Sequence, residues 1–159
     1  RSGGMALDLH IHDTDYAHYL LGLPRSVSSF AAKGPSGAVV HVATRYQYAD
    51  GLLVVAEGGW AMAPSFGFEM SFNMVLEKAS IAYDCTRNPG FRVCPVGGDA
   101  FTPPVAEGDG YIREIDHFAR AAAGQSVPQV LTLEQSRDSV RIVEAERTSY
   151  TEGRTVALA

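Results

Sequence analysis

The sequence predicts an α+β domain in which an open, mainly antiparallel β-sheet carries helices on one face. Its candidate strands follow one another in the middle of the chain, whereas its candidate helices lie at the two ends. Strands joined by short turns pair as antiparallel neighbours, and segregation of strands from helices is typical of the α+β class. With 159 residues, 46% of them hydrophobic, the chain is long enough to form a core, so we expect one domain over residues 1–159.

The first helix is predicted over residues 6–21. Gly22 is a suitable C-terminal stop, and Pro24 follows it. His12 lies at the edge of the stripe that we expect this helix to bury. The other members of the stripe, at helical spacing, are Leu9, Tyr16, Tyr19 and Leu20.

Alternation of apolar and polar residues predicts the strands. It is clearest in residues 38–49, and Asp50-Gly51 then signals a two-residue hairpin turn. In residues 66–76 phenylalanine and methionine share one face of a strand. That face is more apolar than a lone domain shows to water, so we expect it to pack on a partner. The predicted strands are residues 25–32, 38–49, 52–61, 66–76, 79–84 and 91–93.

Two helices are predicted near the C-terminus. The first covers residues 111–123 and has an apolar stripe with Ile112, Ile115 and Phe118. The sequence from Thr132 to Gln135 is a capping box that opens the last helix, which ends near residue 151. We expect this helix to point Leu133, Val140 and Val143 inward, and residues 154–158 to add a short strand.

Charge and composition exclude several classes of partner. The net charge of −5 and the lack of a basic cluster argue against nucleic acid and against an anionic membrane surface. The two cysteines, Cys85 and Cys94, are too few for a disulfide scaffold, and we expect reduced thiols in a cytoplasmic protein. Because the chain begins at Arg1 rather than Met, we expect a fragment or a processed chain.

The segment from Asp8 to Asp15 concentrates three aspartates and two histidines. On a helix, Asp8 and His12 lie one turn apart on the same face, with Cβ atoms about 5–6 Å apart. A carboxylate that orients an imidazole can move a proton near neutral pH. Alternatively, Asp8 is an acid that stabilises the first turn of the helix through the helix dipole.

Several motifs, in order and along nearly the whole chain, resemble the C-terminal domain of the Gfo/Idh/MocA oxidoreductases, the family of glucose–fructose oxidoreductase and inositol dehydrogenase. Each motif is weak alone, but the ordered set is fairly specific. The motifs are Gly3-Gly4-x-x-Leu7-Asp8-Leu9-His10-Ile11-His12-Asp13-x-Asp15, Tyr19-Leu20-Leu21-Gly22-x-Pro24, Asp50-Gly51, Glu57-Gly58-Gly59-Trp60, Gly110-Tyr111-x-x-Glu114-x-x-x-Phe118, Thr132-Leu133-Glu134-x-x-x-Asp138-Ser139, and Ser149-x-x-x-Gly153-Arg154-x-Val156.

The resemblance implies a two-domain dehydrogenase acting on a hydroxyl of a sugar, polyol or inositol. Its C-terminal domain, of the dihydrodipicolinate-reductase-like type, would bind substrate and use the outer sheet face for a homo-oligomer. The family's catalytic aspartate and histidine map onto Asp8 and His12. The family's lysine comes from the Rossmann domain, and Lys78, in a predicted turn, does not replace it.

The cofactor implied is NAD or NADP, bound mainly by an N-terminal Rossmann domain that is absent from this chain. No G-x-G-x-x-G follows a predicted strand, so the cofactor-binding residues stay unknown, and we expect the chain alone not to bind NAD and to be inactive. Asp15 is a candidate contact to a substrate hydroxyl, or else a solvated charge. Trp60 is a candidate wall of a sugar site, or else a core residue.

Two other functions remain open. The segment Asp8-Leu9-His10-Ile11-His12 also fits the Asp-x-His-x-His pattern of metal-dependent amidohydrolases, in which both histidines lie on one strand face. That fold needs about 250 residues of alternating strands and helices, so we predict no metal site. The third possibility is a non-catalytic dimerisation or binding module.

Overall fold

The computed structural model of the protein describes residues 3–105 and 108–158, so Arg1 lies outside the described residues. The α+β class and the antiparallel pairing are confirmed. The elements in chain order are a π-helical turn Ala6–His10, α1 Ile11–Leu21, β1 Ser26–Lys33, β2 Val39–Gln47, β3 Leu53–Gly59, a 3-10 turn Pro64–Phe66, β4 Ser71–Val75, β5 Ala79–Asp84, β6 Phe91–Pro95, α2 Gly110–Ala122, α3 Leu133–Glu152 and β7 Val156–Ala157.

The chain separates by its contacts into two compact units. Unit 1 comprises Arg1–Met62 and Gln129–Ala159, and unit 2 comprises Ala63–Pro128. The sequence-based expectation of one domain stays a prediction. None of the helices in residues 3–105 and 108–158 combines the length and the apolar character that crossing a bilayer requires.

Unit 1 contains a four-stranded antiparallel sheet in the order β3-β2-β1-β7. The predicted alternation of β2 is confirmed, because Val42, Thr44 and Tyr46 are buried. The prediction of a two-residue turn at Asp50-Gly51 is wrong, since Gln47 is paired with Leu53 and residues 48–52 all lie in the loop.

Helices α1 and α3 cover one face of this sheet, α3 against β1 and α1 against β3. The contact of α3 with the sheet creates the hydrophobic core of unit 1. Its buried members are Val27, Tyr46, Tyr48, Ile142, Ala145 and Leu158. Burial of each large apolar side chain contributes about 1.5–3 kcal/mol, so this contact holds α3 in place.

The opposite face of the sheet is exposed in the structure. It presents Phe30, Leu53 and Val55, whose exposed fractions are 75%, 73% and 61%. These residues alternate along β1 and β3 with the buried ones. Helices α1 and α3 therefore lie on the same face of the unit 1 sheet.

Unit 2 contains a three-stranded antiparallel sheet in the order β4-β5-β6. The prediction of a strand over residues 66–76 is wrong in its first half, because Phe66 ends a 3-10 turn and Gly67 follows with φ of 79°. Phe72 and Met74 are half-buried rather than on an open face. The ring of Phe72 stacks on Tyr83, with centroids 5.5 Å apart.

The two later helices differ in their packing. In α2, Ile112, Ile115 and Phe118 are exposed, although the sequence places them on one apolar stripe. In α3, Val143 is buried as predicted. The prediction that Leu133 and Val140 point inward is wrong, because they are 86% and 44% exposed, Leu133 at the first position of the helix.

The capping box of α3 is confirmed. The backbone N–H of Gln135 donates to Thr132 Oγ1 at 3.1 Å, and the N–H of Thr132 donates to Gln135 Oε1 at 2.8 Å. These two bonds satisfy donors that the first turn of a helix otherwise leaves without partners.

We predict that Thr132→Ala lowers the free energy of unfolding by about 1 kcal/mol, because the N-cap acceptor is lost. Urea denaturation followed by circular dichroism measures the change. Thr132→Ser keeps the hydroxyl and should stay close to the wild-type stability. Equal losses in the two variants would show that the side-chain hydrogen bond does not account for the effect.

Candidate functional site

The two sequence-predicted catalytic residues, Asp8 and His12, lie on the first helical segment of unit 1. This segment consists of the π-helical turn and α1, residues 6–21. Gly3 and Gly4, with φ of 92° and 82°, lead into the π-helical turn. The N–H of Ile11 donates to the carbonyl of Ala6, five residues back, and α1 continues from there. Such π turns are rare and occur often at functional sites.

Asp8 and His12 are both exposed on this segment. Asp8 lies in the π-helical turn, and His12 is the second residue of α1. Across residues 3–105 and 108–158, no hydrogen bond or ion pair joins these two side chains. The pairing of Asp8 with His12 therefore stays a prediction.

An open groove of about 360 Å³ lies beside His12. Asp15 shares this groove, so the structure brings together two of the predicted site residues. The groove is completed by Tyr16, Tyr19, Val130 and Leu131. It combines aromatic and aliphatic walls with one imidazole and one carboxylate, which is the usual composition of a small-molecule site.

Asp15 is held in position from α3. The buried hydroxyl of Ser139 donates to Asp15 Oδ1 at 2.6 Å. Because that hydrogen is used, the nearby His18 Nδ1, at 3.0 Å, donates to the Ser139 oxygen. His18 therefore has a structural role, and Asp15 has a fixed carboxylate.

Trp60 lies directly after β3, where its backbone N–H donates to the carbonyl of Val40 at 3.1 Å. Its side chain is 45% exposed and lies outside the set of residues that line the groove of His12. A role for Trp60 in substrate binding stays a prediction.

The side of the first helical segment that is buried is not the one predicted. Tyr16, Tyr19 and Leu20 are 41%, 53% and 43% exposed, whereas His10 and Thr14 are fully buried. The expectation of an inward apolar stripe is thus wrong. A polar pair faces the sheet because β2 and α3 offer it hydrogen-bonding partners.

His10 contacts groups from three elements. Its Nδ1 lies 3.3 Å from Asp13 Oδ2, and its Nε2 lies 3.3 Å from Thr44 Oγ1 on β2. The same Nε2 lies 3.5 Å from Glu146 Oε2 on α3. A carboxylate therefore faces each nitrogen of a fully buried imidazole. Gly58 of β3 closes the site, since a Cβ there would lie 2.8 Å from Asp13 Oδ2.

Glu146 is also fully buried. Thr14 Oγ1 donates to its Oε1 at 3.0 Å, so the Tyr46 hydroxyl donates in turn to Thr14 at 2.9 Å. The Oε2 of Glu146 accepts no hydrogen bond within the described residues, and His10 Nε2 is its ion-pair partner. We name the set His10, Asp13, Thr14, Thr44, Tyr46 and Glu146 the buried polar cluster.

Burial changes the pKa of two groups in this cluster, Glu146 and Tyr46. It raises the pKa of the Glu146 carboxyl, an effect that the neighbouring His10 partly opposes. Burial likewise raises the pKa of Tyr46, and the charge of Glu146 adds to the effect. Tyr46 is thus a neutral hydrogen-bond donor, while Glu146 holds its proton to a higher pH than an exposed glutamate does.

This cluster has only a weak signal in the sequence. Its local signal was the spacing of His10 and Thr14, which are one helical turn apart. Their partners Thr44 and Glu146 come from distant parts of the chain, and no short motif connects them.

Neither a metal nor a nucleotide fits the residues at hand. Among residues 3–105 and 108–158, no group of three His, Cys, Asp or Glu side chains is arranged to hold a metal ion. Asp8, His10 and His12 lie on helical segments and not on a strand, which contradicts the amidohydrolase pattern. The glycines at 34 and 37 connect two antiparallel strands, so they do not form the strand–turn–helix site of a dinucleotide.

Comparison with known families and structures adds independent information. The profile of the GFO/IDH/MocA C-terminal domain matches residues 1–82. No protein of curated function matches the sequence.

Solved structures match over nearly the whole chain. Levoglucosan dehydrogenase, in complex with NADH and levoglucosan, is 21% identical with a TM-score of 0.73, and the match covers 98% of this chain and 50% of that one. The WlbA dehydrogenase from Bordetella pertussis, in complex with NADH and UDP-GlcNAcA, is 15% identical with a TM-score of 0.76, and the match covers 99% of this chain and 46% of that one. The aldose-aldose oxidoreductase from Caulobacter crescentus, complexed with glycerol, is 18% identical with a TM-score of 0.77, and the match covers 98% of this chain and 48% of that one. The chain spans about half the length of these proteins and shares their fold.

We predict that the stability of the protein falls as the pH rises above about 4, the ordinary range of a glutamate pKa. The raised pKa of Glu146 means that the folded state binds more protons than the unfolded state, so the free energy of unfolding decreases until the pH passes the folded-state pKa. Glu146→Gln cannot titrate and should make the decline shallower.

Urea denaturation at a series of pH values measures this decline. Glu144→Gln, an exposed carboxylate on the same helix, is the matched control and should keep the wild-type slope. A wild-type slope in Glu146→Gln would show that Glu146 does not cause the pH dependence.

Proposed function

The chain belongs to the family of GFO/IDH/MocA C-terminal domains, and from this premise we propose that it is the substrate-binding half of an NAD(P)-dependent dehydrogenase of sugars, polyols or inositols. The observation that carries the proposal is the exposed His12, which lines an open groove together with Asp15 and two tyrosines. The proteins of similar fold include enzymes solved with NADH, levoglucosan or a UDP-sugar, which supports a carbohydrate substrate.

In this proposal His12 is the proton acceptor. An imidazole changes charge near neutral pH, and its position in the groove leaves it open to a substrate hydroxyl. Asp8 lies on the preceding turn and would favour the protonated form of His12 once a substrate draws the two side chains together. The exposed position of both residues is compatible with this role.

Asp15 would bind a second substrate hydroxyl. Its Oδ1 already accepts the hydrogen bond from Ser139, so Oδ2 is the oxygen that would face the ligand. The rings of Tyr16 and Tyr19 would pack on the C–H face of a sugar ring. Trp60 is retained as a further candidate contact, at the end of β3.

The nicotinamide cofactor, NAD or NADP, would be bound mainly by an N-terminal Rossmann domain and would accept the hydride there. The described residues do not form a dinucleotide site, so this chain would supply the proton acceptor and the orientation of the substrate. We therefore propose that the chain alone does not turn over substrate.

A second copy of the chain is the proposed partner of the exposed sheet face in unit 1. Phe30, Leu53 and Val55 place apolar side chains on the face opposite to the helices. An exposed apolar sheet face of this kind is characteristic of a protein–protein interface. Homo-oligomerisation would cover it.

We predict that His12→Ala lowers the turnover number by about 10²–10⁴-fold in the full-length protein, because the proton acceptor is lost. Turnover of glucose, myo-inositol and levoglucosan is followed by the absorbance of the reduced cofactor, with NAD and with NADP. His117→Ala, on α2, controls for the loss of a histidine elsewhere and should retain activity. A loss below about tenfold in His12→Ala would exclude the proton-acceptor role.

We predict that Phe30→Glu converts a dimer or larger assembly into a monomer, because it places a charge on the exposed apolar sheet face. Size-exclusion chromatography with light scattering measures the mass. Leu133→Glu changes an equally exposed apolar residue on α3 and should keep the wild-type mass. A monomeric wild-type protein would refute this interface.

A further inference from the structure

We propose that His10 and Glu146 form a positioning pair, which holds the first helical segment, and with it Asp8 and His12, in the geometry that turnover needs without touching the substrate. This inference rests on the proposed function. His10 is the last residue of the π-helical turn and lies between Asp8 and His12 in sequence. Its imidazole is fully buried, whereas Asp8 and His12 are exposed. The buried side of the segment therefore contacts the core, and the exposed side is open to a substrate.

The imidazole of His10 cannot move without losing contacts to several elements. Asp13 on α1, Thr44 on β2 and Glu146 on α3 each lie within 3.5 Å of one of its nitrogens. On the β3 side the backbone of Gly58 passes close to the ring, since a Cβ added there would lie 3.3 Å from His10 Nδ1. The position of His10 is therefore determined by the sheet and by α3 together.

Glu146 is the member of the pair that reaches furthest across the fold. Its Oε1 accepts from Thr14, one helical turn after His10, and its Oε2 faces the His10 ring. One carboxylate of α3 thus contacts two successive turns of the first helical segment. This arrangement fixes the rotation of that segment about its own axis and its position along α3.

The energetics favour a role in geometry over a role in stability. Removing a carboxylate and an imidazole from water is costly, and replacing a buried ion pair by apolar residues is often neutral or stabilising. The Oε2–Nε2 distance of 3.5 Å is also long for a hydrogen bond. The benefit of the pair therefore lies in the contacts that it makes to α1, β2 and α3.

The π-helical turn is the element that needs such support. Its hydrogen-bond geometry is uncommon in helices, and the N–H of Ile11 reaches five residues back to Ala6. Without the contacts of His10, the turn can open and lose the bond from the Ile11 N–H to Ala6. Opening would displace Asp8 relative to His12, because the two residues lie on opposite sides of the junction between the turn and α1.

The test compares Glu146→Gln with the matched control Glu144→Gln. Hydrogen exchange of the Ile11 amide, followed by NMR on the chain itself, reports opening of the turn. We expect exchange to accelerate about tenfold or more in Glu146→Gln and to stay at the wild-type rate in Glu144→Gln. An Ile11 exchange rate within about threefold of wild type in Glu146→Gln would overturn the proposal.

Activity in the full-length protein supplies the second readout. We expect Glu146→Gln to lower kcat about tenfold or more with KM changed less than about threefold, because misplacement of reacting groups affects the chemical step. The double variant His10→Leu/Glu146→Leu should unfold at or above the wild-type temperature and still have the low kcat.

A wild-type kcat in the double variant would show that the pair only fills space and would overturn the inference. Failure of the proposed function is recognised separately, since the wild type and Glu144→Gln would then show no turnover. In that case the exchange rate of the Ile11 amide decides the structural part of the inference by itself.

Discussion

The contact between a buried imidazole and a buried carboxylate determines how the first helical segment lies on unit 1. His10 comes from the π-helical turn and Glu146 from α3, and their ring nitrogen and carboxylate oxygen are 3.5 Å apart with no exposure to water. Neither group is tolerable in the core without partners, because a buried polar group that lacks a hydrogen-bonding partner is destabilising. The segment, β2 and α3 are therefore constrained to meet at one place.

This constraint has consequences on the opposite side of the segment. With His10 and Thr14 facing the core, His12 is exposed and Asp15 is half-buried, and both line the open groove. Helix α3 acts on that outer side as well, because Ser139 holds the carboxylate of Asp15. The same helix thus positions both the buried polar cluster and the open groove, which gives the candidate site a rigid support.

The elements that could be predicted from the sequence are those whose signal is local. The capping box of α3 and the alternation of β2 need only neighbouring residues, and both are confirmed. The alternation of phenylalanine and methionine before Ser71 was misleading, because Gly67 and the preceding 3-10 turn interrupt the strand. The helical spacing of apolar residues places Leu133 on the inward side of α3. However, it lies in the first turn of α3, beyond the edge of the core.

The sequence by itself determined the α+β class and the ordered motifs of the family, because periodicity and motif order are properties of consecutive residues. It also singled out Asp8, His12 and Asp15, which the structure leaves accessible or half-buried. Only the tertiary structure decided that His10, and no other histidine of the segment, is buried. Its partners Thr44 and Glu146 are distant in sequence, and the strength of their interaction depends on burial, which arises only when the sheet and α3 pack together.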